Sequence, residues 1–310
     1  MLKIGLNTDL WYDESNPEES LRYVAECGIE ALDYDICSLY DNTFDKENLT
    51  SFFDQSFEDL CKYYDRMKAA MEENHLVFSQ WHGVFPIYHP GEDARNEYIL
   101  KITDTIIALC AYMGCPAIVM HPWTGLDIKK QEEIEINLNL YRRMIPAAKK
   151  YGVKICLENL FRHASKVSVE CIEGACADAM EAVYYIDTLN AEAGEEIFGF
   201  CLDTGHANIL NKNLYQYITT LGSRLMLLHI NDNPGFDDYH MIPYTQIDRG
   251  RKATAINWNE FMRALKEIGY KGNLSFETHQ GIKHLPDEVK QDGIRLISSI
   301  GRYFRKNIEK

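Results

Sequence analysis

The feature that most limits the fold of this 310-residue chain is a recurrence. Short β-branched or apolar runs appear at wide spacing, and each is followed by a longer stretch with helical periodicity. Eight runs stand out: K-I-G-L-N from Lys3, A-L-D-Y-D-I from Ala31, L-V-F-S-Q-W-H from Leu76, A-I-V-M-H from Ala117, K-I-C-L-E-N from Lys154, F-G-F-C-L-D from Phe198, L-M-L-L-H-I-N-D from Leu225 and N-L-S-F-E-T-H from Asn273. The segments between them are amphipathic, and two stop at a glycine suited to a helix C-terminus, Gly28 and Gly269. No Gly/Ser-rich or Pro-rich linker divides the chain. Eight alternating units predict an α/β fold with a single (β/α)₈ barrel over residues 1–310. An open doubly wound sheet would carry a glycine-rich turn after its first strand, where this chain has N-T-D-L-W-Y-D-E-S.

Parallel barrel strands converge at their C-terminal ends on one mouth, where the catalytic groups of this architecture sit. Read in order, those ends are Asn7, Asp33 or Asp35, His82, His121, Glu158, Asp203, His229 and Glu277. Strands five to eight thus bring two Glu, one Asp and one His to one rim. Three carboxylates so gathered repel one another unless a positive charge lies among them. A divalent cation meets that need, and three oxygen donors with one imidazole suit Mn²⁺, Mg²⁺ or Co²⁺, with Zn²⁺ also accommodated. Glu158, Asp203, His229 and Glu277 are therefore the expected metal ligands. His206, on the turn C-L-D-T-G-H-A-N, is placed to reach over the same mouth.

Composition narrows the partners. The formal net charge of −15 would repel a polyphosphate backbone, so nucleic acid is not expected. Nine scattered cysteines without a paired framework point to a reducing compartment, and the opening M-L-K-I-G-L-N-T-D-L reads as a strand rather than a leader or membrane span. The expected location is the cytoplasm, with no membrane partner. Trp11, Tyr12, Trp81, Phe85, Trp123 and Phe161 flank strand ends, and about half of them are expected to meet ligand, since aromatic faces suit the C–H faces of sugars. Exposed loop aromatics would also suit a homo-oligomer whose neighbour closes the mouth. Arg249, Arg251 and Lys252 follow strand seven, where Arg249 is a candidate contact for a substrate anion. The chain after Glu277, T-H-Q-G-I-K-H, lacks the glycine-rich phosphate turn of many barrels, which favours an unphosphorylated sugar or polyol.

Five segments carry a family resemblance: L-E-N at 157–159, L-D-T-G-H-A at 202–207, L-H-I-N-D at 228–232, D-Y-H at 238–240 and G-Y-K-G-N-L-S-F-E at 269–277. Together they resemble the xylose isomerase-like TIM barrel superfamily of sugar (phosphate) isomerases and epimerases, across essentially the whole chain. The resemblance implies a single divalent metal, commonly Mn²⁺, on Glu158, Asp203, His229 and Glu277, with His82 and His206 facing substrate; Trp123 is a candidate substrate contact by its aromatic face alone. It implies proton transfer next to a carbonyl through a metal-stabilised enediolate, with Glu158 and Glu277 as acid and base. Isomerisation, epimerisation and dehydration of an inosose-type substrate all remain open at this level. The ketose 3-epimerases of the superfamily carry a Glu and an Arg where this chain has Ala164 and Gly235. Apurinic endonucleases share the superfamily and bind three zinc ions; His82, His121, His206, Asp238 and His240 match their additional ligands. The acidic charge, Trp123 and the absence of a basic stretch near the strand ends weigh against that hydrolase.

Overall fold

In the computed structural model, which describes residues 1–9, 11–245 and 256–310, the eight expected strands form one parallel sheet. They are β1 (Ile4–Asn7), β2 (Ala31–Asp35), β3 (Val77–His82), β4 (Ala117–Val119), β5 (Lys154–Glu158), β8 (Phe198–Asp203), β9 (Leu225–His229) and β10 (Leu274–Phe276). Two short strands within the β5–β8 connection, β6 (Phe161–His163) and β7 (Cys171–Glu173), pair as an antiparallel hairpin that the sequence pattern did not reveal. The sheet order is β10-β1-β2-β3-β4-β5-β8-β9, and a bridge between Ile230 and Phe276 joins its two edges. There the Ile230 amide donates to the Ser275 carbonyl at 2.8 Å and the Glu277 amide to the Ile230 carbonyl at 3.1 Å. The result is an α/β TIM barrel.

Around it run α1 (Pro17–Glu26), α2 (Cys37–Thr43), α3 (Phe57–Glu73), α4 (Asp93–Tyr112), α5 (Lys130–Tyr151), α6 (Ala179–Ala193), α7 (Thr204–Ile209), α8 (Leu214–Leu221), α9 (Trp258–Glu267), α10 (His279–Lys283) and α11 (Asp287–Ile308). Their ends follow local chemistry. Pro17 and two glutamates open α1, the Asp178 carboxylate accepts from the amides of Met180 and Glu181 to open α6, and Gly152 closes α5 in the left-handed conformation at φ 70°. Among the described residues no helix is long and apolar enough to cross a membrane.

Strand alternation divides the buried residues into two shells. Tyr34, Trp81, Phe200 and Phe276 point outward beneath the helices, whereas Ala117, Val119, Cys156, Cys201 and Leu227 make a separate small-residue cluster in the barrel interior. Two of the nine cysteines thus serve as small apolar fillers, and all nine are free thiols. Trp81 falls among the strand-end aromatics that pack in the core rather than at the mouth. Its ring packs on Tyr34, Tyr64 and Phe78, fully buried and on the opposite strand face from the mouth-facing His82.

The outer shell is closed by α11, whose Phe304 lies 5.4 Å from the Trp258 ring, 5.8 Å from Phe261 and 6.1 Å from Phe276. Phe304→Ala is expected to cost about 3–5 kcal/mol, because the ring is fully buried and its neighbours belong to separate elements that cannot all collapse into the space. Denaturant unfolding measures this; a change below about 1 kcal/mol would contradict it.

Candidate active site at the barrel mouth

One layer above the interior cysteines, the next inward position of each strand is polar. Cys156 is followed two residues later by Glu158, Cys201 by Asp203, Leu227 by His229 and Ser275 by Glu277, so the period of two that packs the floor also arms the mouth. All four armed positions are buried. Glu158 and Glu277 meet at one imidazole: His229 Nδ1 lies 3.1 Å from Glu158 Oε2 and 3.5 Å from Glu277 Oε2.

Asp203 does two jobs for the turn that follows it. As the last residue of β8 it is also the N-cap of α7, with Oδ1 accepting from the His206 amide at 2.6 Å. Its other oxygen accepts from Asn231 Nδ2 at 2.6 Å, and the Asn159 side chain grips its backbone, donating to Asp203 O at 2.9 Å and accepting from Asp203 N at 2.8 Å. This explains a strand ending on an acid with a histidine three residues on: the cap places His206 back over the mouth. His206 Nδ1 reaches the Asn159 carbonyl at 2.8 Å and Glu158 Oε1 at 3.2 Å, while Nε2 meets Asp238 Oδ2 at 3.1 Å.

Further histidines complete the ring. His121 Nε2 stands 3.0 Å from Glu158 Oε2, His82 Nε2 stands 3.5 Å from Glu277 Oε1, and His240 bridges Asp238 Oδ2 at 2.9 Å and Glu277 Oε2 at 3.5 Å. Among the described residues the ion partners of Glu158, Asp203, Asp238 and Glu277 are all histidines, with no Lys or Arg. Burial pushes the Glu277 carboxyl up to about 7, although His229, His240 and His82 oppose it. At Glu158 burial acts the same way, but His229 and His121 prevail and hold the carboxyl well below its ordinary range. Burial works against a charged His229, yet the carboxylates of Glu277 and Glu158 lift it to about 9. The shared cause is an excess of buried negative charge that draws positive charge in.

Whether these donors fit a cation is tested by their unused atoms. Glu158 Oε2, both ring nitrogens of His229, His121 Nδ1, Asp238 Oδ1 and His279 Nδ1 are buried without a hydrogen-bond partner. Buried polar atoms are rarely left so. Donor atoms of Glu158, Cys201 and His229, of His82, His121 and Glu158, and of His206, Asp238 and His240 approach one another within 4.8 Å, close enough for each group to hold an ion. The donor set fits a divalent cation.

Of the expected aromatic contacts, Phe85 packs against His121 at 4.8 Å and Phe161 against His206 at 5.2 Å, both at the rim. Trp123 is partly buried, edge-on to Tyr88, with its backbone N–H donating to Asn137 Oδ1 at 2.7 Å and its carbonyl accepting from Asn137 Nδ2 at 2.8 Å. Arg249, with Arg251 and Lys252, lies outside the described residues. Ala164 sits on the β6–β7 hairpin, its amide donating to Glu170 O, and Gly235 occupies a positive-φ turn at 79°. The sequence reading missed the supporting roles of Asn159 and Asn231, although both stand beside motif acids in L-E-N and H-I-N-D, and it missed His279, two residues past Glu277.

The family model for the xylose isomerase-like TIM barrel matches residues 21–300. The chain belongs to that family. An uncharacterised protein of Methanocaldococcus jannaschii is 29% identical over 247 residues, covering 75% of this chain and 72% of its own. The inosose isomerase of Halalkalibacterium halodurans is 23% identical over 214 residues, covering 69% of this chain and 70% of its own. The apo crystal structure of the 3-keto-D-glucoside 4-epimerase of E. coli superposes with a TM-score of 0.70 at 18% identity, covering 98% of this chain and all of the other, which speaks to a shared fold.

Proposed function

We propose that this member of the xylose isomerase-like family is a divalent-metal-dependent sugar isomerase or epimerase that moves a proton next to a carbonyl. The observation that carries the reading is the meeting of Glu158 and Glu277 at one imidazole, from β5 and from the end of β10, with histidines as their only ion partners among the described residues. The similarity to an inosose isomerase supports the same class of chemistry. Glu158, Asp203, His229 and Glu277 would hold the cation, and their mixed oxygen and nitrogen donors suit Mn²⁺. When bound there, it would polarise a carbonyl oxygen and stabilise the negative charge that builds on it.

The protein's own groups do the rest. Carboxylate oxygens of Glu158 and Glu277 come from different strands to the same nitrogen, His229 Nδ1, so one can take a proton from a substrate carbon while the other returns one. Proton return to the opposite face of the same carbon gives epimerisation; return to the neighbouring carbon interconverts aldose and ketose. His82 and His206 line the same mouth and are assigned to substrate hydroxyls, and the Trp123 and Phe161 loops to the C–H faces of a sugar or polyol. Ala164 and Gly235 remove two side chains that ketose 3-epimerases carry, so an inosose or other cyclic ketone ranks beside the linear ketoses. The free thiols fit a cytoplasmic protein.

A second reading is favoured by one observation, the presence at the mouth of more than one possible donor group, such as His82 with His121 and Glu158, and His206 with Asp238 and His240. It holds several Zn²⁺ ions there and hydrolyses phosphodiesters. Elemental analysis of protein purified without added metal or chelator, paired with substrate panels in D₂O, separates the two. About one Mn²⁺ per chain with deuterium entering beside the carbonyl of a ketose, aldose or inosose is the expected result. Two or three Zn²⁺ per chain, no deuterium uptake and cleavage of an abasic-site duplex would replace the isomerase with the hydrolase.

A further inference from the structure

Two loops flanking the mouth carry aromatics assigned to substrate, and a chain of charged groups joins them. The first loop follows β4 and holds Trp123; the second is the β6–β7 hairpin, which holds Phe161. Lys130, Glu133 and Asn137 are spaced three and four apart at the start of α5, so they share one face of that helix. Asn137 is fully buried and grips the Trp123 backbone through both its N–H and its carbonyl. Buried Glu133 takes the next two residues: its Oε2 accepts from the Gly125 amide at 2.9 Å and from Thr124 Oγ1 at 3.2 Å. Gly125 in turn seats the indole, since a Cβ there would fall 2.5 Å from Trp123 Cη2.

Lys130, half-exposed, carries the connection across. Its Nζ donates to Glu133 Oε1 at 2.8 Å, to the Gly174 carbonyl at 3.2 Å and to Glu181 Oε1 at 3.2 Å, so each of its three protons has an acceptor. Glu181, on α6, also accepts from the Cys176 amide at 3.1 Å. Gly174 and Cys176 lie at the foot of the hairpin, where the Gly174 amide donates to the Leu160 carbonyl at 3.1 Å and the Leu160 amide to the Ala175 carbonyl at 3.0 Å. Cys176 sits there in the left-handed region at φ 57°, uncommon for a residue with a Cβ.

Helix packing alone accounts poorly for these groups. Leu138 and Tyr141 of α5 and Tyr185 and Ile186 of α6 already belong to one apolar core. An acidic first turn on α5 needs no buried side chain either, because exposed Glu132 supplies one. A buried carboxylate is costly unless it is paired and hydrogen-bonded, and what Glu133 gives in return is direction, through charge-assisted bonds to a loop amide. Both ends of the chain of groups terminate on loop backbone rather than on another helix.

We propose that Lys130, with Glu133 and Glu181, is a brace that sets the Trp123 loop relative to the β6–β7 hairpin and so determines which sugar or polyol fits against their aromatics. The proposal rests on the assignment of Trp123 and Phe161 to substrate. Lys130 itself touches no substrate; it is a positioning residue that acts through the two loops.

The test uses the full chain labelled with 5-fluorotryptophan, as wild type, Lys130→Met and Glu181→Gln, with the Trp123 ¹⁹F signal assigned by Trp123→Phe. Glu181→Gln alters the hairpin end of the brace, yet both variants are expected to shift or broaden the Trp123 signal while those of the buried Trp81 and Trp258 stay in place. Glu181→Gln also covers the case of Lys130→Met failing to fold. On the best substrate of a ketose, aldose and inosose panel, KM is expected to rise about tenfold with kcat within about threefold, as when binding is lost and chemistry kept. An unchanged Trp123 signal in both variants, or a KM within about twofold of wild type, would overturn the proposal and leave the sugar reading in place. A wild type that turns over no sugar of the panel, or a KM that Trp123→Phe leaves untouched, would remove the reading beneath the brace and the brace with it.

Discussion

Glu158→Gln is expected to lower turnover by about 10³-fold and, on the function proposed above, to abolish tight binding of a divalent cation, with the fold retained. Loss of one positioned acid–base group alone accounts for about 10²–10⁴-fold. Glu158 is closely engaged in the mouth: its carboxylate stands within 3.2 Å of His121, His206 and His229. The amide keeps the shape but removes the negative charge, and its NH₂ cannot accept or bind a cation as a carboxylate oxygen does. The barrel should survive, because the residues around Glu158 are polar groups of the mouth rather than the apolar shell beneath the helices. Circular dichroism, elemental analysis and steady-state kinetics on the best substrate of the panel check the three parts of this statement. A variant that keeps its metal and more than a tenth of wild-type turnover would remove Glu158 from the reacting centre.

The second large effect comes from a glycine that contacts no substrate. At Gly205 an added Cβ would fall 1.9 Å from Asn231 Oδ1 and 2.7 Å from Asn233 Nδ2, both well inside contact distance. Both neighbours are buried asparagines without slack: Asn231 Nδ2 holds Asp203 Oδ2, and Asn233 Oδ1 accepts from Asn208 Nδ2 at 2.9 Å and from the Gly235 amide at 3.0 Å. Gly205→Ala must therefore push Asn231 away, and Asp203 loses the donor that sets its second oxygen. Overpacking of this kind costs about 1–3 kcal/mol, and a displacement near 1 Å at a reacting group costs about 10²-fold in rate. The expected result is a modest fall in stability with a disproportionate fall in kcat and metal affinity. If activity were to fall only in step with the folded fraction at the assay temperature, Asp203 would not depend on this contact. Here the glycine is required by close approach rather than by backbone angle, since it lies within α7.

Much of this site can be traced to the linear pattern. Glu158, Asp203, His229 and Glu277 stand at strand ends, and a parallel barrel has one place for such ends to go. His82 and His121 follow from the same reasoning. Trp81 shows the limit of a list of aromatics near strand ends: adjacent to His82 in sequence, it faces the helices because neighbouring strand residues point to opposite faces. Asp33 shows a different limit. Its position at the end of strand two was visible beside Asp35, but nothing local separates the two acids. A one-residue irregularity between β2 and β3 turns Asp33 under two histidines from β3 and β9. The β6–β7 hairpin escaped notice because F-R-H and C-I-E are each only three residues long, too short to show a period.

By itself, then, the sequence determined the alternation of strands and helices, hence the barrel, and the residue types that arrive at its mouth; local periodicity and capping chemistry act over a few residues and need no distant partner. The tertiary structure alone decided which nitrogen of each imidazole faces which carboxylate, that Asn159 and Asn231 grip Asp203, and that Gly205 admits no side chain. Most of those outcomes depend on contacts between residues distant in the chain, 28 positions apart for Asn231 on Asp203 and 44 for Asn159 on Asp203, and on shifts of register that only the assembled sheet fixes. Side-chain direction is set by packing across strands, and no local pattern encodes it.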